Sequence, residues 1–525
     1  MAKSKKRTQT VEEKFIDVNK RKCIGCTACG MACTGITNIS VLRSVNDMRR
    51  SIDTKKPSFE ESGCIYCGQC TLICPTDAIE VRNDIKKVNE AIADGKYMIA
   101  ISSPAVKAML GEEFNLPIGS DVEGKVQASA RKLGFQRVFD SDFGGDMTSI
   151  EEAQELIKRM KIEENLPMFT SACPSWVRWV ELFKPDMIEH LSTSKSPQQM
   201  MGTAIKTYYA DTFKILPKNI FILSIEPCTS KKYEAEKEEM GRDGYRDIDA
   251  VLTVREYAQL LRDNSIDINA MASEKSDEYM GQYSGSGTIF SYSGGNLRAV
   301  LREVSNDMEE IKVDCSKLQP INGLDNSVHG IAKIGSMEIR IAIINTIKDV
   351  ERFLSKDGWK EYDFVEVTVC PGGCINGGGS PKTIKKAVIK NNSCISCGTC
   401  VEKCPSYAIQ IKANKCAEVA PDKCIGCTLC QDICRTKAIN ITTYDKNGED
   451  VVENYIELRK RVIDNIDERS HMRCSDDNGE VKVMYRDYMM EPYGNKAKSL
   501  LHESYRDRSS ELKSKETKER NRRSR

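Results

Sequence analysis

The sequence has almost no excess of either charge: 78 lysines and arginines face 77 aspartates and glutamates, a net charge of +1 over 525 residues. That balance excludes a nucleic-acid binder of the usual strongly basic kind. No run approaches about 18 consecutive apolar residues, so no membrane-spanning helix is expected. The opening MAKSKKRTQTVEEKF never leads into an apolar core and does not read as a secretory signal. No G-x-G-x-x-G follows an apolar strand-like run, which argues against a nicotinamide or flavin module. These absences point to the cytoplasm, where disulfides are rare. At about 150 residues per domain, the length suggests about three or four domains.

What the chain has in abundance is cysteine. Its 23 cysteines read as metal ligands, and sixteen of them fall into four runs spaced C-x2-C-x2-C-x3-C. The runs are Cys23, Cys26, Cys29, Cys33; Cys64, Cys67, Cys70, Cys74; Cys394, Cys397, Cys400, Cys404; and Cys424, Cys427, Cys430, Cys434. Tetrahedral zinc is the alternative, but zinc sites use separated C-x2-C pairs rather than four cysteines in eleven residues. Three closely spaced thiolates suit three irons of a cubane, and in two-cluster ferredoxins the fourth thiolate reaches the neighbouring cluster. Crossed ligation is therefore expected. Cys74 joins Cys23, Cys26 and Cys29, while Cys33 joins Cys64, Cys67 and Cys70. Likewise Cys434 joins Cys394, Cys397 and Cys400, while Cys404 joins Cys424, Cys427 and Cys430. Four accessory [4Fe–4S] clusters follow.

Seven cysteines lie outside the runs. Between about 95 and 385 the pattern is α/β, with apolar runs alternating with helical patterns such as Ile150–Met160 and Leu297–Val304. Four of the apolar runs end in unusual loops: Ser102-Ser103-Pro104-Ala105, Thr170–Pro174, Glu226-Pro227-Cys228, and Cys370-Pro371-Gly372-Gly373-Cys374. Open α/β sheets bind ligands at the carboxyl ends of their strands. Cys173, Cys228, Cys370 and Cys374 at such ends favour a fifth cluster over four small buried hydrophobes.

The loops resemble the three signature motifs of the [FeFe]-hydrogenases, T-S-C-C-P-x-W, P-C-x-x-K-x-x-E and C-x-G-G-C-x-x-G-G-G. Here they stand as Thr170-Ser171-Ala172-Cys173-Pro174-Ser175-Trp176, as Pro227-Cys228-Thr229-Ser230-Lys231-Lys232-Tyr233-Glu234, and as Cys370–Gly379. Ser196–Met200, Asp249–Thr253, Ser293–Gly295 and Ser475–Tyr505 also look like family segments. The resemblance implies a six-iron H-cluster whose cubane is held by Cys173, Cys228, Cys370 and Cys374. Cys374 would bridge to a binuclear iron site carrying CO, cyanide and a bridging dithiolate amine. Lys231 would donate to one cyanide and the backbone N–H of Ala105, after Pro104, to the other. Gly372, Gly373 and Gly377–Gly379 would let the backbone close around the cluster. The implied activity is heterolytic cleavage and formation of H2. The implied partners are H2, protons, ferredoxin or a similar small electron carrier, and hydrogenase maturation proteins, with neither nucleic acid nor membrane.

Two departures stand out. The family's proton-passing cysteine before the first ligand is Ala172 here, which cannot titrate. The outer proton path is matched by Glu152, Glu155, Arg159 and Ser192, and Glu226 beside Cys228 is the candidate to replace the last link. The alternative for Glu226 is an ion pair with Lys231 or Lys232, or a side chain that points away from the cluster. The second departure is a two-run module inserted before the C-terminal segment, read as a second electron port or a branch. The expected layout is α+β and α/β. A ferredoxin-like domain covers 1–90, the H-cluster domain 91–387 and the inserted module 388–448. A packed C-terminal segment follows at 449–508, then an unstructured basic tail at 509–525. Cys315, Cys416 and Cys474 match no ligand position and read as structural. A hydrogen sensor with slow turnover and an iron–sulfur assembly protein are the competing functions.

Overall fold

A computed structural model of the chain describes residues 14–45, 50–307, 318–411 and 416–512. Cys315 and the tail beyond 512 lie outside the described residues. The central run Tyr97–Ser102 (β1) is apolar almost throughout, as a parallel strand covered on both faces must be. Its side chains alternate accordingly: Met98 and Ala100 enter one core, Ile99 and Ile101 the other. The other principal strands are β2 (Arg137–Asp140), β3 (Met168–Phe169), β4 (Ile220–Glu226), β5 (Ala250–Thr253), β6 (Val328–Ile334), β7 (Met337–Asn345) and β8 (Phe364–Thr368). One sheet has the order β5-β4-β1-β2 and is parallel throughout. The other runs β6-β7-β8-β3 with Gln319–Pro320 on its edge beside β6; the pairs Gln319–Pro320 with β6 and β6 with β7 are antiparallel, the rest parallel.

Helices α1 (Asp142–Ile162), α2 (Pro174–Phe183), α3 (Pro197–Ala204), α4 (Ser230–Glu236) and α5 (Gly295–Asp307) cover these sheets. The carboxyl ends of β1, β3, β4 and β8 meet where all four unusual loops depart. The C-terminal segment adds α6 (Tyr455–Arg469), whose Val462, Ile463 and Ile466 join the core beside the first sheet.

The two cysteine-rich modules repeat one plan. Strand Ile16–Val18 pairs antiparallel with Ile79–Val81 around helices Ala28–Thr37 and Gln69–Ile73. In the inserted module Ile384–Ile389 pairs with Ile439–Tyr444, and Ile409–Ile411 with Ala417–Val419. Each of the four short helices follows a residue in left-handed backbone: Thr27, Gly68, Gly398 and Thr428.

Two expectations need correction. The module's first strand begins at Ile384, ahead of the expected edge at 388, because its whole length pairs with Ile439–Tyr444. The tail is ordered through 512 rather than unstructured from 509. Ser509–Leu512 forms a 3-10 turn in which Glu511 pairs with buried Arg178 at 3.0 Å.

Candidate active site

A cavity lies between the carboxyl ends of the two sheets, lined by Cys173, Cys228, Cys370 and Cys374 together with Ala172, Glu226, Lys231 and Pro104. Local hydrogen bonds fix the loops that bring them there. Trp176 Nε1 donates to the Thr170 carbonyl at 3.1 Å, closing the first motif onto the start of α2. Ser175 Oγ donates to Ser230 Oγ at 2.9 Å, tying the first motif to the second, and Ser230 Oγ lies 3.0 Å from Cys228 Sγ.

The third motif depends on glycine at close approaches. Gly373 has φ +90°, and a Cβ there would stand 2.5 Å from Ser293 N; one on Gly377 would stand 2.4 Å from the Pro227 carbonyl. Gly372 has φ +83° and rests on Ile456 of α6. Gly379 N donates back to Pro227 at 2.7 Å. These glycines join motif to motif, which sets the spacing of the sulfurs. Ala105 lies in the first turn of the short helix Pro104–Lys107, where an amide has no intrahelical partner.

Burial pushes the Cys228 thiol up to about 11, with the Cys173 charge adding to it. It drives Cys370 and Cys374 well above the ordinary range, again reinforced by neighbouring sulfurs. Four sulfurs that resist ionisation together call for cations among them, since bound metal deprotonates a coordinating thiol. Lys231, also buried, is held by Glu234 at 2.9 Å and donates to the Ala172 carbonyl at 3.4 Å. Although burial opposes its charge, Glu234 and Glu226 keep that ammonium above its usual range. The donor set and the fixed cation fit an anionic iron cluster.

The paired runs lie close together. Beyond burial, the thiol of Cys29 feels Cys26, Cys74 and Cys23, and that of Cys70 feels Cys67, Cys64, Cys33 and Cys29. In the inserted module Cys400 feels Cys394, Cys397 and Cys434, while Cys430 feels Cys427, Cys424 and Cys404. Cys416 instead donates to the Asn391 carbonyl at 3.0 Å, and Cys474 precedes the Ser475–Asp477 turn.

Family models match this layout piece by piece. The model described as iron only hydrogenase large subunit, C-terminal domain, matches residues 96–378, and that of the iron hydrogenase small subunit matches 453–508. Two 4Fe-4S dicluster models match 22–78 and 387–441. The chain belongs to the iron-only hydrogenases. Iron hydrogenase 1 of Clostridium pasteurianum is 38% identical over 74% of this chain and 69% of its own length. The periplasmic [Fe] hydrogenase large subunit of Nitratidesulfovibrio vulgaris is 36% identical over 61% of this chain and 85% of its own. The structure of HydA1 from Chlamydomonas reinhardtii is 25% identical, with a TM-score of 0.61, covering 81% of this chain and 99% of that one. More distantly, cytosolic iron-sulfur assembly component 3 of Mus musculus is 29% identical over 61% of this chain and 70% of its own. No helix among the described residues is long and apolar enough to cross a membrane.

On the proton side of this hydrogenase, Glu226 lines the cavity and takes a hydrogen bond from Ser224 Oγ at 3.2 Å. Burial raises its carboxyl to about 7, against the pull of Lys231. It forms no ion pair with either nearby lysine, because Lys231 is engaged by Glu234 and Lys232 by Asp84 and Glu256. Glu155 sits in a tight cluster, accepting from Arg159 at 2.6 Å, Ser192 Oγ at 3.1 Å and Thr193 N at 3.0 Å. Glu152 lies deeper. Burial raises it to about 8, against the pull of Ser192, the Ser171 amide and Asn296. Asn296 also stands in the cavity wall.

Sequence reasoning missed several residues that hold the site. Arg459 of α6 grips Glu112 through two bonds of 2.7 Å and donates to the Ile375 carbonyl inside the third motif at 2.8 Å. His502 joins Glu151 at 2.9 Å to Thr193 at 2.7 Å, and Tyr505 donates to the Ser192 carbonyl. Glu366 on β8 accepts from Gly294 N and Leu297 N at the start of α5. A buried arginine or histidine in the C-terminal segment was the available signal, but the partners are hundreds of residues away.

Proposed function

We propose that the enzyme interconverts H2 with protons and electrons at an H-cluster held by Cys173, Cys228, Cys370 and Cys374, and that four accessory [4Fe–4S] clusters relay electrons to a small ferredoxin-type carrier. The convergence of four cysteines and one fixed ammonium on a single cavity carries this reading. When bound, the group supplies the redox-active irons at which H2 is made or split, together with a bridging amine as proton relay. Hydrogenase maturation proteins would deliver its binuclear part. The chain's own residues bind, orient and shield it. Cys374, at the head of its own short turn, is the residue assigned to bridge the two parts. Lys231 offers its ammonium to the cavity while Glu234 prevents it from swinging away. Glu226 holds or releases a proton at its carboxyl, in a protein that has Ala172 where a titrating side chain is expected. No disulfide joins the described cysteines, which suits the reducing cytoplasm the reading assigns.

A second reading is favoured by Ala172 alone: a hydrogen-responsive protein with slow turnover. Its neighbour Glu226, near neutrality and in the cavity wall, favours the catalytic one. The assembly reading is opposed by the intact Lys231 and Cys370–Gly379. Infrared spectra of the matured protein test the proposal. CO and cyanide stretching bands should be present and should vanish in Cys374→Ser, and H2 should reduce a viologen dye. A fully iron-loaded, matured protein without those bands would overturn it.

A further inference from the structure

We infer that the inserted module is the outer length of a single electron path, and that its face around Cys394 and Cys397 docks an acidic, ferredoxin-type carrier. The inference rests on the hydrogenase reading above. It replaces the expected branch or second port with a series.

The seam between the modules carries the order. Cys26 and Ala28 of the N-terminal module share one apolar cluster with Cys427 of the inserted module, and Ile73, Ile425 and Leu429 pack against it. The chain reaches the insert over the N-terminal module itself. Lys382 donates to the Cys74 carbonyl at 2.7 Å and pairs with Asp77. Gly426 then lies so close to Ile384–Ile389 that a Cβ would stand 2.3 Å from the Lys385 carbonyl. At the inner end, a Cβ on Gly378 of the third motif would stand 2.4 Å from the Cys67 carbonyl. From outside to inside the sets therefore stand as Cys394, Cys424, Cys23, Cys64 and the cavity.

Exposure marks which end meets the carrier. Cys23, Cys26 and Cys29 are 8%, 9% and 6% exposed, so the N-terminal module offers a carrier no open sulfur there. Cys397, by contrast, is exposed, and the neighbouring Ile395 is 64% exposed. Lys390, Arg435 and Lys437 surround this end in exposed positions. Neither Lys390–Cys397 nor Cys434–Lys437 contains an acidic residue. An exposed isoleucine with cations beside it fits a carrier with an acidic face, since charges at an interface rim steer encounter and set register. The electrons balance: each H2 oxidised gives two protons and two electrons. The electrons leave singly, reducing two oxidised one-electron clusters of the carrier.

The test uses the holoprotein and, as probe, an oxidised acidic ferredoxin of the two-[4Fe–4S] type. In calorimetry, Lys390→Glu/Arg435→Glu/Lys437→Glu should raise the dissociation constant at least about tenfold and flatten its salt dependence. Lys20→Glu/Lys22→Glu on the N-terminal module should change it less than about twofold. The reverse pattern overturns the docking site. For the series, removing its neighbour by Cys427→Ala should narrow the electron paramagnetic resonance signal of the reduced Cys23 set. An unchanged line shape, at the expected loss of iron, overturns the order. Calorimetry reads docking without turnover, so a sample that binds as expected but never turns over H2 sinks the hydrogenase reading alone.

Discussion

Four runs of one spacing build the electron side of the molecule, whereas the proton side rests on single carboxyls, each met once. The contrast shows two ways in which a sequence specifies chemistry. Each cysteine run carries its own local geometry: a left-handed residue at Thr27, Gly68, Gly398 or Thr428 turns the backbone into a short helix. That geometry needs nothing from elsewhere in the chain. Glu226 has no such local signature. Burial at the end of β4 makes it a near-neutral acid, and the burial comes from other parts of the fold.

If that is right, the largest loss of turnover should come from one atom on the proton side. Glu226→Gln keeps the shape and removes the titration, and should cut turnover by roughly a hundredfold, as loss of a placed acid–base group does. The sign with pH is fixed by direction. H2 oxidation needs the carboxylate to accept a proton, so its rate should rise as pH climbs through about 7. H2 production needs the protonated form and should fall over the same window. Gln at 226 should flatten both limbs, and Ala172→Cys added to it should restore turnover. Dye-linked rates in both directions across pH decide this. Unchanged limbs with normal infrared bands would return the last proton step to a water chain from Ser192 or Glu155.

The same contrast explains what was legible beforehand. The four runs and the three motif loops are short-range patterns, and the parallel strands that carry the loops show as apolar runs. The clamps are long-range. Arg459 finds Glu112 across most of the chain, and His502 finds Glu151 and Thr193. No spacing announces such pairs, because each half alone is an ordinary charged or polar residue. The seam of Cys26 with Cys427 escaped for the same reason. Glu511 was hidden in a polar, basic stretch until Arg178 gave it a partner.

The finest test lies within the electron side, where two glycines hold the same place in their runs. Gly68 follows Cys67 with φ +70°, and Gly398 follows Cys397 with φ +79°. Alanine at either position must adopt left-handed backbone, at a cost of about 1 kcal/mol. Their surroundings differ completely. A Cβ on Gly68 would meet Thr229 at 2.2 Å from Oγ1 and 2.9 Å from Cβ, whereas one on Gly398 would meet nothing within 4 Å. Thr229 is β-branched and stiff, and its Oγ1 already donates to the Tyr66 carbonyl at 2.6 Å. It cannot turn aside without losing that bond. Overpacking of this kind adds a further 1–3 kcal/mol or so. Gly68→Ala should therefore destabilise the protein by roughly 2–4 kcal/mol, and Gly398→Ala by only about 1 kcal/mol. Denaturant unfolding of the holoprotein, followed through its iron–sulfur absorbance, measures both. Equal losses would mean that the two modules are sealed alike, and would remove the open outer end on which carrier docking depends.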